Sequence, residues 1–464
     1  MSRVDRTRLP TLGPDPVFRF PEIRKSRLPN GLGVWSVEHR QVPVVTFVLL
    51  VSVGSAVDPP GSPGLASLTG DMLDEGAGDR SAIEVNDALA RIGAQFETEV
   101  GPDATLLTLT TLTRFAGRGL SLLSDLITRP RFDSHEFDRV RRLRASRLRQ
   151  LGNVPAAIAD RAFATLLYDT HPYGHLAIGT EEALDGIALD AVRAFHARVY
   201  RPETTTLIAV GDVSHDELQA LADDAFGGWP AGPGDDDELV RALASALESP
   251  GAVPPRLTIV DRPGAAQSEL RIGHVAVPRS TPDYPALLLL NMALGGQFIS
   301  RINMNLREDK GFTYGARTSF DFRRGRGPFQ LQVSVHTAAT AEAIRESIGE
   351  IRAVRDERPV SHQELEQARA ALTRGYPRNF ETADQIARSC AQLALYGLPD
   401  NYFERFVPTI QALTTDHLSA VARRHLDPDR LATLIVGDQA VVAPAVESLG
   451  LGTPEVLTPA VSGS

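Results

Sequence analysis

Two periods of apolar and polar positions alternate along the chain. Residues 44–53 form a near-continuous run of β-branched and leucine side chains, the pattern of a strand buried on both faces. Residues 105–112 alternate Thr and Leu and read as a strand paired with 96–100. Between these runs the period changes. After the breaker-rich loop 59–64, Leu65, Leu68, Met72 and Leu73 fall on one face of a helix. Ser81 followed by Glu84 predicts a capped helix running toward residue 92. Further helices are expected over 119–127, 134–151, 156–168 and 189–198, and a strand over 205–210. His171-Pro172-Tyr173-Gly174-His175 is a loop, because Pro and Gly break a helix there. Earlier in the chain, Leu28-Pro29-Asn30-Gly31-Leu32 is a turn leading into a strand over 33–38.

The same order returns in the second half: a strand near 269–277, a helix over 284–294, then paired strands and helices. One stretch repeats without gaps. Arg198, Pro202, Val210, Gly211 and Asp212 face Arg424, Pro428, Val436, Gly437 and Asp438, each set spanning a helix end, a turn and a strand. The expected fold is therefore α+β, with two homologous halves, each a mainly antiparallel sheet packed with helices. The boundaries read as an extended arm at 1–25, a first domain at 26–230, a Pro/Gly/Asp-rich linker at 231–255, a second domain at 256–452 and a loose tail at 453–464. Within the linker, 238–248 can form a short helix.

Composition narrows the function. The 464 residues are 42% hydrophobic and 23% charged, ordinary for a globular chain, with net charge -10. No basic excess points to nucleic acid. The run Arg139, Arg141, Arg142, Arg144, Arg147 and Arg149 reads as a solvated helix face. The single cysteine, Cys390, permits no intrachain disulfide and no thiolate zinc cage; it reads as a small core residue of an Ala/Leu-rich helix. The runs 44–53 and 286–290 are too short to span a bilayer, and the first residues lack a signal-peptide pattern, so a cytoplasmic location without a membrane span is expected. His171 and His175 stand four apart, but off a helix that spacing has no ligand geometry, and they read as loop-packing residues. The acidic set Asp71, Asp74, Glu75 and Asp79 reads as a solvated helix end rather than a hard-cation site.

Several motifs together resemble one family. They are the stretch 64–76, His171-Pro172-Tyr173-Gly174, Gly179-Thr180-Glu181-Glu182, Tyr200-Arg201-Pro202 and Val210-Gly211-Asp212. In the second half they are Leu294-Gly295-Gly296-Gln297-Phe298, Ser300-Arg301 and residues 305–315, Asn305-Leu306-Arg307-Glu308-Asp309-Lys310-Gly311-Phe312-Thr313-Tyr314-Gly315. Over nearly its whole length the chain is similar to the insulinase-like (M16) zinc metallopeptidases. That resemblance implies a clam of two related domains around a chamber that takes peptides as extended strands. In the family, a stretch like 64–76 carries His-x-x-Glu-His, where two His hold zinc and the Glu activates water. Here those positions are Ser67, Gly70 and Asp71, and no His-x-x-Glu-His occurs among the eleven His. The family's third ligand is a Glu on a later helix, but no Glu lies between Glu136 and Glu181. This donor set suits zinc poorly, so no metal is expected on this chain.

Arg307 and Tyr314, by contrast, match the family's pair that contacts substrate opposite the zinc. A guanidinium and a phenol can both donate to substrate carbonyls and to developing oxyanion charge. The resemblance therefore implies a non-catalytic, substrate-binding subunit of a heterodimeric zinc peptidase, with zinc on a partner that carries His-x-x-Glu-His. The alternative is an inactive peptide-binding or assembly protein without proteolysis. A serine hydrolase built on Ser67 has no placed His base and no Gly-x-Ser-x-Gly elbow.

Overall fold

The computed structural model describes residues 18–232, 237–251 and 256–457. The first half is built on β1 (Arg24–Arg27), β2 (Gly33–Glu38), β3 (Val44–Val51), β6 (Gln95–Val100), β7 (Thr105–Leu112) and β8 (Thr205–Gly211), ordered β1-β2-β8-β3-β7-β6. A small ladder of β4 (Gly76–Ala77) and β5 (Arg80–Ser81) sits apart. β2 and β8 run parallel and the other ladders of the large sheet are antiparallel.

The second sheet uses β9 (Leu257–Asp261), β10 (Gln267–Val275), β11 (Ala316–Phe320), β12 (Pro328–His336), β13 (Ala432–Gly437) and β14 (Glu455–Leu457), ordered β11-β12-β10-β13-β9-β14. Read from one edge, β6-β7-β3-β8-β2 has the same order as β11-β12-β10-β13-β9, which is the duplication that the repeat predicts. The repeated Gly has a packing reason. A Cβ on Gly211 would stand 2.2 Å from the Val44 carbonyl oxygen, and one on Gly437 2.6 Å from the Ser268 hydroxyl. Each marks where a strand end presses against its neighbour in the sheet.

Each sheet is covered on one face by its own helices. In the first half these include Leu65–Asp71, Ala116–Thr128 and Leu189–Val199; in the second, Tyr284–Asn291, Thr340–Arg355 and Thr415–His425. The opposite faces are covered by exchange. The Pro155–Tyr168 helix of the first half packs on β10 and β13, and the Ala383–Tyr396 helix of the second packs on β3 and β8. This exchange accounts for the run at 44–53: β3 is buried on both faces because a helix from the far half covers the one its own half leaves open. Cys390 lies inside that contact, where burial pushes its thiol up to about 12, so it is an inert core residue.

The structure bears on three segments at the expected boundaries. The short helix expected at 238–248 within the linker is present as Asp237–Leu247, and it buries Leu239 and Ala246 against the first half, because its apolar positions share one face. Of the expected loose tail, Glu455–Leu457 instead pairs with β9 as an edge strand; residues 458–464 lie outside the described residues. Of the expected arm, 1–17 lies outside the described residues, while Phe18 stacks on Phe380 of the second half and Phe20 meets the same ring edge-on, at 4.7 and 5.4 Å between ring centroids. The stretch Tyr284–Asp309 is long and apolar enough, by length and composition, to cross a membrane. Half of it is buried within the protein, and a turn at 297–300 interrupts its helix.

Candidate functional site

The helix Leu65–Asp71 starts where the Asp58 carboxylate accepts from the Gly64 and Ala66 amides, both at 2.7 Å. His175 Nε2 reaches the same carboxylate at 3.1 Å, whereas His171 meets the Tyr173 amide and the Glu248 carbonyl. The two His therefore serve different loop contacts and do not converge.

On this helix, Ser67 and Asp71 are one turn apart and face a single partner, Arg144. Its Nη2 donates to Ser67 Oγ at 2.8 Å and to Asp71 Oδ2 at 2.6 Å, and its Nη1 to the Ile178 carbonyl at 3.1 Å. The Arg144 side chain is only 6% exposed. This corrects the expectation of a solvated arginine face. Arg144 shares the phase of Phe137, Val140 and Leu148, the other buried residues of the Ser134–Leu151 helix, so it points inward. Arg139 is also engaged, by Glu75 and Glu136. The outward arginines of the run include Arg142, Arg147 and Arg149.

Gly70 leaves no room for a side chain without movement. A Cβ there would lie 3.1 Å from both Thr98 Cγ2 and Val100 Cγ2 of β6. A cleft of about 590 Å³ opens beside this cluster, lined by Asp71, Asp74, Glu75, Glu97, Arg144 and Arg147 among others. Burial, then the neighbouring Glu75 charge, raises Asp74 to about 6. The place between Ser67 and Asp71, where the resemblance expects a metal, is thus filled by the Arg144 guanidinium. A zinc ion does not fit: its place is taken by positive charge, and one carboxylate, one hydroxyl and a bare Cα are a poor donor set. Among the described residues, no group of three or more His, Cys, Asp or Glu converges as a metal site would need.

The second-half site has a different build. The Tyr284–Asn291 helix passes into a π-helical stretch, Met292–Gly296, then a turn, the short helix Arg301–Asn303 and a second π-helical stretch, Met304–Asp309, which carries Arg307. Two buried groups fix this segment. Arg301 pairs with Glu364 and with the carbonyls of Arg358 and Pro359. That pairing, with the Ser361 bonds, overcomes burial and holds Glu364 down to about 2. Asn303 donates to the Ala316 carbonyl at 2.7 Å and accepts from the Ala316 amide at 2.9 Å, clamping the segment to edge strand β11. Arg307 stacks on Phe298, with its guanidinium carbon 3.3 Å from the ring centroid, donates to the Phe298 carbonyl at 3.2 Å and pairs with Glu308 at 2.8 Å.

Tyr314 is 93% exposed. Arg307 and Tyr314 line one groove of about 530 Å³ with Phe298, Glu269, Arg271 and Arg317. The structure brings these two together and brings Ser67, Gly70 and Asp71 together, as two separate clefts. Each cleft lies beside a sheet edge, β6 for the first and β11 for the second.

Sequence reasoning missed Arg144 as the filler of the first site and Asn303 as the clamp of the second. Arg144 was detectable, since it sits at a core position of an otherwise apolar stripe. Asn303 gives no sign, because its partner Ala316 is brought to it only by the fold.

Comparison with known proteins agrees with this geometry. Residues 34–179 match the family model described as insulinase (peptidase family M16), and residues 186–372 match the peptidase M16 inactive domain. The chain is 25% identical to an uncharacterized zinc protease of Mycobacterium bovis, over 89% of this chain and 93% of that one. It is 20% identical to the non-peptidase homolog YmxG of Helicobacter pylori, over 90% and 94%. Among solved structures, a peptidase M16 inactive domain from Pseudomonas fluorescens superposes with TM-score 0.83 at 25% identity, covering 90% of this chain and 98% of that one. A Helicobacter pylori protease shares the fold, with TM-score 0.81 at 19% identity over 90% and 99%. The two matched segments together cover most of the chain, so the chain belongs to the M16 peptidase family.

Proposed function

We propose that this chain is the non-catalytic, substrate-binding subunit of a heterodimeric M16-type zinc peptidase. One observation carries the reading: Arg144 fills the place between Ser67 and Asp71, while the groove of Arg307 and Tyr314 stays open beside β11, the outermost strand of its sheet, clamped by Asn303 only at Ala316. An extended peptide can add to such an edge through backbone hydrogen bonds. Arg307 and Tyr314 then donate to its carbonyl oxygens and to the charge that develops during hydrolysis. The zinc and its activated water belong to a partner subunit that carries His-x-x-Glu-His, and the two subunits together enclose the chamber. The Helicobacter pylori relative's name, a non-peptidase homolog, supports a chain without its own hydrolytic centre.

Affinity purification from native cells tests this. A stoichiometric M16 relative with His-x-x-Glu-His, together with peptide hydrolysis that falls on Arg307→Ala while the complex still assembles, is the expected result. A chain that purifies alone or only with itself, and hydrolyses nothing, supports the second reading, a peptide-binding or assembly protein without proteolysis. The three hydrogen bonds of Arg144 are compatible with that reading too, because they make the first cleft a fixed structural element.

A further inference from the structure

A second kind of site lies away from both clefts. A cavity of about 370 Å³ opens beside the exchanged Ala383–Tyr396 helix, with Arg279 in its wall and the rings of Tyr376, Phe403 and Phe406 around it. Arg279 is only 6% exposed. Its guanidinium carbon lies 3.6 Å from the Tyr284 ring centroid, 5.0 Å from that of Tyr402 and 5.7 Å from that of Tyr396. Among the described residues, no carboxylate or carbonyl oxygen accepts from this guanidinium, and the acceptor beside it is the neutral Tyr402 hydroxyl, which brings no counter-charge. Nearby acids are committed elsewhere: Asp283 to Arg424 and His425, and Asp321 to Arg323. Arg388, the other cation in the wall, is already met by Glu97, Glu99 and Asp384.

A cation this buried is normally paired. The three rings supply part of that compensation through their faces, but a guanidinium stacked on a ring still has N–H groups along its edge that seek acceptors. The unmet charge is a single positive one, and the wall around it is largely aromatic. We propose that this cavity binds a small monocarboxylate with a flat apolar body, such as an aryl-carboxylic acid. The carboxylate pairs with Arg279 and the body lies against Tyr376, Phe403 and Phe406. One free guanidinium suits a monoanion. A phosphate dianion would bring more charge than Arg279 can meet and would have no use for the rings. The site is independent of the peptide groove, so its ligand has no need of a partner subunit.

The test uses the purified full chain, with phenylacetate, phenylacetamide and inorganic phosphate as probes, read by titration calorimetry and by the thermal midpoint. Phenylacetate is expected to bind one site and raise the midpoint. Phenylacetamide, of the same shape without the charge, and phosphate, charged without the ring, should each bind at least about tenfold more weakly. Arg279→Met should abolish phenylacetate binding. Because that change can also perturb folding, Gln392→Trp at the exposed rim serves as a second variant; it should block binding while the unliganded chain keeps its wild-type midpoint. Equal binding of acid and amide, binding that survives both variants, phosphate binding as tight as phenylacetate, or no phenylacetate binding at all would each overturn the proposal. In the last case Arg279 is a packed cation held by its three rings.

Discussion

The two clefts occupy equivalent places in the two halves, each beside the outermost strand of its sheet, yet they are built in opposite ways. In the first, a buried arginine turns inward and closes on the helix Leu65–Asp71. In the second, an arginine is held at the groove by stacking on a largely exposed phenylalanine, and a tyrosine stands free in solvent. Both terminal nitrogens of Arg144 donate to Ser67, Asp71 and Ile178, and its buried Nε has no partner among the described residues. Arg307 is bonded too, through Nε to Glu308 and through Nη2 to the Phe298 carbonyl, but it lies on Phe298 along the groove wall rather than across a cleft. The contrast teaches that the same residue type, on the same scaffold, closes one cleft or lines another according to which partners hold its guanidinium.

Restoring the family's motif sharpens the contrast most. Ser67→His, Gly70→Glu and Asp71→His together are expected to leave the chain without zinc, because Arg144 still occupies the place. Adding Arg144→Glu should raise the metal content toward about one zinc per chain, read by elemental analysis of folded protein. Zinc in the triple variant would show that Arg144 does not plug the site. Next in size, Arg307→Ala should lower turnover of the assembled complex by about 100-fold, the scale of losing an oxyanion donor, with unchanged co-purification; full activity would remove Arg307 from the substrate.

Arg144→Ala should cost about 2 kcal/mol in urea unfolding, through three lost charge-assisted contacts and a new void. A neutral result would make the buried cluster incidental.

The two sites should also differ in their response to pH. Asp74 is raised by burial to about 6, so the folded state holds its proton more tightly than the unfolded state. Its contribution is present below the ordinary carboxylate range near pH 4 and is lost as pH climbs through about 6. Asp74→Asn should therefore raise stability above that pH by about 1–2 kcal/mol, allowing for solvent screening. Glu364 has the opposite sign. Held down to about 2, it stabilises above its ordinary 4.5 and loses that as pH falls toward 2. In Glu364→Gln, acid unfolding should start from a lower stability and show a shallower slope. Melting curves across pH 3 to 8 separate the two; parallel curves would mean that neither environment acts on its carboxyl as described. The smallest effect belongs to Tyr314→Phe, which should change stability by less than about 0.5 kcal/mol because the side chain is solvated, so any loss of turnover would report the phenol itself.

Much of the fold is legible in residues near one another in sequence. The β-branched run gives β3, the alternating Thr and Leu give β7, and Ser81 with Glu84 forms the capping box at the start of the Ala82–Arg91 helix. The repeat at 198–212 and 424–438 gives two sheets of one topology. That residues 67, 70 and 71 are Ser, Gly and Asp, and that no His-x-x-Glu-His occurs, is likewise a matter of sequence alone. These features follow from local periodicity, capping and residue chemistry, which need no partner far along the chain. Which arginine of a run turns inward, which half's helix covers which sheet, and which buried cation lacks a counter-charge were decided by contacts between residues tens to hundreds of positions apart. Arg144 meets Ser67 and Asp71, Asn303 meets Ala316, and Arg279 meets Tyr402 only once each half has folded. Burial and hydrogen-bond saturation are properties of the packed whole, so only the tertiary structure could tell the closed site from the open one.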